Sequence, residues 1–312
     1  MSGEKNLTLQ CMEIWGGNHL TEEYVSLAGL DAWVLSRPHG NATDGGDVHF
    51  VSSCATGRIT RMLIADVSGH GEDVASIAEE LRFLMRRYVN YISQDRFLAE
   101  VNSQFMQRSS QGRFATAVAM TYFSPTNELV VCNAGHPRPI VYRQASSRWE
   151  VMQQQHPEQN NPVNIPLGVT HDVDYVPVQT RLSLGDRLLC YTDSLTEARY
   201  PDGSFFGEQG LCDLLNSLSI DDENDFIQLL LDGIAEKTGT PLKHDDLTVM
   251  LMKPNINHYK VPLSVRMKAP LLMMKGMAKS LVSKEYPMPL AEMTVKNIGG
   301  ALLDVFNRAR LR

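Results

Sequence analysis

The sequence predicts an α+β protein in which antiparallel sheet is packed under helices. Three observations carry this. A Val- and Ile-rich hairpin comes early, two consecutive helical segments follow it, and further strand pairs come after, with no regular β-α alternation. Residues 47–54 (DVHFVSSC) and 59–67 (ITRMLIADV) read as the strands of that hairpin, joined across the turn pair Thr56-Gly57. Between residues 72 and 92, Val74, Ile77, Ala78, Leu81, Leu84, Met85 and Tyr88 recur at helical spacing. A second helix is predicted over 95–108, and others over 207–217 and 223–237. Strands are predicted at 115–123, 127–132, 138–142, 187–192 and 247–252. The polar, Pro-bounded stretch 153–162 reads as a surface loop.

The chain's 312 residues are 43% hydrophobic and 21% charged, ordinary values for a globular protein able to bury a large core. A formal charge of −7 argues against nucleic acid as a partner, because phosphate binding needs a basic surface. Residues 255–312 carry ten Lys/Arg against three Asp/Glu, a net of +7, which leaves −14 on residues 1–254. A domain boundary is therefore placed near Pro254. The five cysteines are scattered without C-x-x-C spacing, as expected of buried thiols in a reducing compartment. The start MSGEKNLTLQ lacks the pattern of a signal peptide, and no apolar run reaches the length of a membrane span. A cytoplasmic protein is expected.

The aspartates are the informative feature. Asp47 lies nine residues before Thr56 and Asp66 nine after Gly57, so a turn centred on that pair sets the two carboxylates directly opposite each other. Opposed side chains have Cβ atoms about 4.5–5.5 Å apart, and like charges there destabilise a sheet unless a cation intervenes. Asp193 follows the apolar strand RLLCY, and Asp245 and Asp246 precede the strand LTVMLM. A single Asp at a strand end is ordinarily a turn-former. Several such carboxylates with little His or Cys nearby favour a hard cation such as Mg²⁺ or Mn²⁺ over zinc.

The ordered set DGGDVHF (44–50), ADVSGHG (65–71), FATA (114–117), NAGHPRPIV (133–141), PLG (166–168), GDRLLCYTDSLTEA (185–198) and DDLT (245–248) resembles the SpoIIE-like (RsbU-type) branch of the PPM-type metal-dependent serine/threonine protein phosphatases. The resemblance covers nearly all of residues 29–252. It implies a four-layer α-β-β-α sandwich of two mainly antiparallel sheets flanked by helices, with two Mn²⁺ or Mg²⁺ ions in a cleft at the strand ends. It implies Asp66 as the carboxylate shared by both ions and the Val67 carbonyl as a further ligand. Asp47 would hold one ion, directly or through water, and Asp193 and Asp245 the other, with Asp246 a substitute for Asp245. The implied nucleophile is a water activated by the ions, with no covalent role for a protein side chain; Ser68 reads as a loop residue. His70 reads either as a loop histidine at the helix start or as a group that protonates the leaving group or touches phosphate. Asn133 and His136 read as fixing the loop beside the cleft. Gly45, Gly46, Gly69 and Gly71 are expected to permit backbone turns that a Cβ would obstruct. One departure is Ser194, where the family usually has Gly after Thr-Asp; a left-handed φ there would cost serine about 1 kcal/mol.

The activity implied is hydrolysis of phosphoserine or phosphothreonine on a partner protein, typically an anti-sigma-factor antagonist in this branch. The competing readings are a phosphatase-like binding scaffold without turnover, and another two-metal hydrolase such as a phosphodiesterase, whose sites usually mix His with the carboxylates. The tail 255–312 is expected to be helical, basic and amphipathic, over 270–283 and about 290–309. It would dock on the acidic domain, form a homodimer contact, or lie peripherally on an anionic membrane.

Overall fold

The computed structural model describes residues 7–9, 14–40, 42–53, 57–69, 72–89, 91, 93–108, 112–153, 162–219, 222–240, 242 and 245–256. The predicted tail from 257 onward, His70, Gly71, Cys11, Cys54, Thr56 and most of the polar loop 153–162 lie outside the described residues.

The early hairpin forms as the turn arithmetic requires. β5 (Asp44–Ser53) and β6 (Ile59–Val67) pair antiparallel with Asp47 opposite Asp66, and Gly57 takes a left-handed φ of 68°. The predicted helix runs as α1 (Glu72–Tyr88), and every apolar residue of its predicted face is buried. Burying leucines such as Leu81 and Leu84 stabilises the fold by roughly 1.5–3 kcal/mol each. α2 (Gln94–Arg108) lies beside α1, and α3 (Gly207–Ser217) and α4 (Glu223–Thr238) form a second pair. α4 has strong local signals: Asp222 caps the Asn224 N–H at 2.9 Å, and Gly239 ends the helix at a φ of 71°.

Two sheets result. The six-stranded sheet runs β11 (Val178–Arg181), β8 (Glu128–Ala134), β7 (Ala115–Phe123), β6, β5, β2 (Ile14–His19). The seven-stranded sheet runs β1 (Leu7–Thr8), β3 (Thr21–Leu27), β4 (Leu30–Arg37), β13 (Leu247–Pro254), β12 (Arg187–Tyr191), β9 (Ile140–Arg143), β10 (Arg148–Val151). All pairings are antiparallel except β1 with β3. Strands β1–β4, β10 and β11 are additional to those predicted from the sequence.

Three apolar clusters define the layers. Val48, Phe50, Leu63 and Ala65 of the six-stranded sheet pack on α1 and α2. Val51, Met62, Ile64 and Val118 meet Val34, Cys190, Met250 and Met252 between the sheets. Leu189, Tyr191, Val249 and Leu251 pack on α3 and α4. Strand alternation thus gives each sheet one helix-facing and one sheet-facing side, the α-β-β-α sandwich expected. Cys132, Cys190 and Cys212 are free and buried. Among the described residues no helix is long and apolar enough to cross a membrane.

Candidate metal centre

Asp47 and Asp66 are register partners across β5 and β6, and Thr116 on β7 is the next partner of Asp66. Side chains two residues apart on a strand share a face. Asp47, Asp66 and Thr116 therefore lie on the face of Val51, Ile64 and Val118, at the end of the space between the sheets. The opposite sheet closes on them from the ends of β12 and β13. The Thr192 hydroxyl donates to Asp47 Oδ2 at 2.9 Å, and its oxygen accepts the Thr248 N–H at 2.9 Å. Thr248 shares a hydrogen bond with Ser36 on β4 at 3.0 Å. This buried ladder of hydroxyls delivers Asp193, the residue after Thr192, and Asp245, three before Thr248, to the same end of the sandwich.

Asp193 opens a 3-10 turn, Asp193–Leu195, whose Asp193 carbonyl accepts the Thr196 and Glu197 N–H groups at 2.8 Å each. Ser194 is not among the residues with positive φ, so the cost anticipated for serine at that position does not arise. Asp245 Oδ1 accepts the Asp246 N–H at 2.8 Å. Asp246 is differently engaged: its Oδ1 accepts the His39 N–H at 2.6 Å and its Oδ2 the Gly46 N–H at 2.5 Å. The Val67 carbonyl oxygen lies 3.3 Å from where a Cβ on Gly46 would sit.

Gathering these carboxylates is electrostatically costly. Burial pushes the Asp66 carboxyl up to about 8, with Asp193, Asp245, Asp246 and Glu197 adding to the rise. Burial, then Glu197 and Asp245, raises Asp193 to about 6, against the pull of the Ser194 N–H. Asp47 is raised by burial and then by Asp66, while the Thr248 and Thr192 side chains oppose the rise. Such a concentration of carboxylates, with Asp47 buried, Asp66 and Asp193 half-buried, Asp245 exposed and oxygen donors only, fits a hard divalent cation. Among the described residues, however, no three His, Cys, Asp or Glu side chains meet closely enough to enclose an ion. The carboxylates share one end of the fold without forming a closed cage.

The other predicted residues take supporting positions. Asn133 Nδ2 donates to the His136 carbonyl and Asn133 Oδ1 accepts the His136 N–H, both at 2.8 Å, which clamps the loop after β8. His136 Nδ1 lies 2.8 Å from the Thr116 hydroxyl, one strand from Asp66, and burial pushes its imidazole down to about 3, so it is neutral. Ser68 is tied to Phe114 by its N–H at 2.9 Å and its hydroxyl at 3.2 Å. Gly69 has a φ of 111°, as a turn glycine should. Gly45 and Gly46 differ from expectation: they lie within β5, and close packing rather than a turn excludes a side chain. A Cβ on Gly45 would lie 2.6 Å from Asp246 Oδ1, and one on Gly46 2.7 Å from Val74 Cγ1. Glu197 and the Thr192-Thr248-Ser36 ladder were missed. Glu197 carried a readable signal, a carboxylate four residues beyond Asp193 on a helical turn.

Solved structures share this architecture. The PP2C domain with a regulatory fragment of Bacillus subtilis SpoIIE aligns with a TM-score of 0.61 at 16% identity, over 77% of this chain and 71% of that one. The RsbU and RsbW domains of a Mycobacterium tuberculosis protein align at 0.59 and 22% identity, over 80% and 70%. RsbX in complex with magnesium aligns at 0.54 and 16%, over 75% and 100%. At these identities the likeness establishes the fold. The model of the family Stage II sporulation protein E (SpoIIE) matches residues 56–255, and the chain belongs to that family. Phosphoserine phosphatase RsbU of Bacillus subtilis (strain 168) is 22% identical over 228 residues, which cover 73% of this chain and 64% of RsbU. The chain therefore spans just under two thirds of that relative's length.

Proposed function

We propose that the chain is a metal-dependent serine/threonine phosphatase acting on a phosphorylated partner protein. The observation that carries this reading is the Asp47–Asp66 register pair, met from the opposite sheet by the strand ends that bear Asp193 and Asp245. In this reading Asp66, Asp193 and Asp245 would hold one Mn²⁺ or Mg²⁺ ion, and Asp66 and Asp47 with the Val67 carbonyl would hold a second. Asp245 is preferred to Asp246 because both oxygens of Asp246 already accept backbone N–H groups. When bound, such cations acidify water and neutralise charge on a phosphoryl group. The chain's own residues hold Asp47 by the Thr192 hydroxyl, keep Asp66 beside the neutral His136–Thr116 pair, and shield the inner end of the site with the inter-sheet core.

The RsbU relative and the magnesium complex of RsbX support the activity and the choice of cation. The joined RsbU and RsbW domains of the M. tuberculosis protein support a partner-switching substrate, an anti-sigma-factor antagonist bearing phosphoserine. We place the catalytic domain at residues 1–254 and treat 255–312 as a separate basic segment. Three free, buried cysteines support a cytoplasmic setting. The absence of a closed three-ligand group among the described residues favours a second reading, a phosphatase-like binding module without turnover. Turnover of a phosphoserine peptide by purified protein, with Mn²⁺, Mg²⁺ or EDTA and beside Asp66→Ala and Asp193→Ala, separates the two. The phosphatase reading expects activity that EDTA and both substitutions abolish; metal uptake without hydrolysis leaves the binding module.

A further inference from the structure

Among the described residues, hydrogen bonds of two aspartate side chains join the sheets at the acidic end, and only one of those aspartates is assigned a cation above. The first is Thr192 to Asp47. The second is Asp246, at the start of β13 in the seven-stranded sheet. It accepts the Gly46 N–H of β5 in the six-stranded sheet with one oxygen and the His39 N–H, just past β4, with the other. Gly46 is the residue before Asp47, and Asp245 is the residue before Asp246. A charged acceptor that takes two backbone donors is among the stronger hydrogen-bonding arrangements in a protein. The surroundings are shaped for it. Asn18 on β2 holds the Gly45 carbonyl at 3.1 Å, and a Cβ on Gly45 would meet both the carboxylate oxygens and the carboxyl carbon of Asp246 within 2.9 Å.

We propose that Asp246 is a positioning residue, an inter-sheet clasp that fixes Asp47 and Asp245 relative to each other, and that it is not itself a cation ligand. The proposal rests on the metal-dependent reading above for what is positioned, and on the two backbone contacts for the clasp. Groups that orient ligands in this way typically change metal affinity ten- to a hundredfold when removed. An Asp246→Asn amide can accept from one of the two N–H groups but presents its own N–H groups to the other, so it opens half of the clasp while keeping the side chain's volume.

The test has two readouts. In the cation-free protein, amide hydrogen exchange at Gly46 and His39 is compared between wild type and Asp246→Asn. On the same proteins and on Asp245→Asn, Mn²⁺ is titrated calorimetrically. The clasp predicts exchange faster by about tenfold or more at one or both amides. It also predicts an unchanged number of ions per chain and Mn²⁺ affinity about ten- to a hundredfold weaker in Asp246→Asn, with saturating Mn²⁺ restoring kcat. Asp245→Asn should instead take up one ion fewer. Gly45→Ala, which removes no carboxylate but displaces that of Asp246, should reproduce the affinity loss should Asp246→Asn not fold. Unchanged exchange at both amides, or loss of one ion per chain in Asp246→Asn, overturns the proposal. A wild type that takes up no Mn²⁺ overturns the metal-dependent reading instead, and the exchange rates then decide the clasp by themselves.

Discussion

Replacing Asp66 by asparagine should make the cation-free protein more stable, even though Asp66 is the proposed centre of the site. In the absence of cations its carboxyl is pushed up to about 8 from an ordinary 3.8, chiefly by burial and then by Asp193 and Asp245. A group whose folded pKa lies above its unfolded value binds more protons in the folded state, so its contribution falls as pH rises from about 3.8 through about 8. Each pH unit across that window is worth 1.36 kcal/mol, which at pH 7 sets an upper bound of roughly 4 kcal/mol. Asparagine keeps the shape and the cost of burying a polar group, so we expect it to recover on the order of 2–3 kcal/mol. For a domain of this size that raises Tm by roughly 5–10 °C. Thermal and urea melts in EDTA at pH 7 and pH 4 measure it, and the gain should shrink toward zero at pH 4. Saturating Mn²⁺ should reverse the order, stabilising wild type by about 4.1 kcal/mol at about a thousandfold excess over Kd and leaving Asp66→Asn unmoved. An Asp66→Asn protein less stable than wild type in EDTA at pH 7, or equally stabilised at both pH values, refutes the reasoning.

Other substitutions probe the scaffold. Thr192→Val keeps the shape but orphans the Thr248 N–H and removes one hydrogen bond from Asp47; it should cost about 1–3 kcal/mol in urea melts. Ser194→Gly should leave Mn²⁺ affinity within about twofold of wild type and lower stability by roughly 0.5–1 kcal/mol, since no left-handed backbone awaits the glycine. Leu81→Ala, in the fully buried face of α1, should lose about 2–5 kcal/mol and with it much of the folded population at elevated temperature.

What could be read in advance followed the range of each interaction along the chain. α1 was legible because its apolar stripe is local and every stripe residue is buried. The Asp47–Asp66 pairing was legible because a short connection between two neighbouring strands sets the register of both. β3 and β4 carry a usable signal. Val25 and Leu27, then Leu30, Ala32 and Val34, alternate about Ala28-Gly29, and all five are buried. The neighbouring Gly16-Gly17 and Glu22-Glu23 blurred it. Strands β10 and β11 are four residues long and half exposed, too short for alternation to stand out. The Asp246 contacts were not legible. Their donors lie 207 and 200 residues away, and nothing near Asp246 in the sequence distinguishes a clasp from a ligand.

The central claim, that these aspartates hold cations that the chain uses to hydrolyse phosphoserine, meets its most direct test in one titration. Mn²⁺ is added stepwise to cation-free protein while binding and phosphate release from a phosphoserine peptide are followed on the same sample. The account predicts that hydrolysis rises with occupancy, with coincident midpoints, and disappears on addition of EDTA. Hydrolysis that persists in EDTA, or full occupancy without phosphate release, would contradict it.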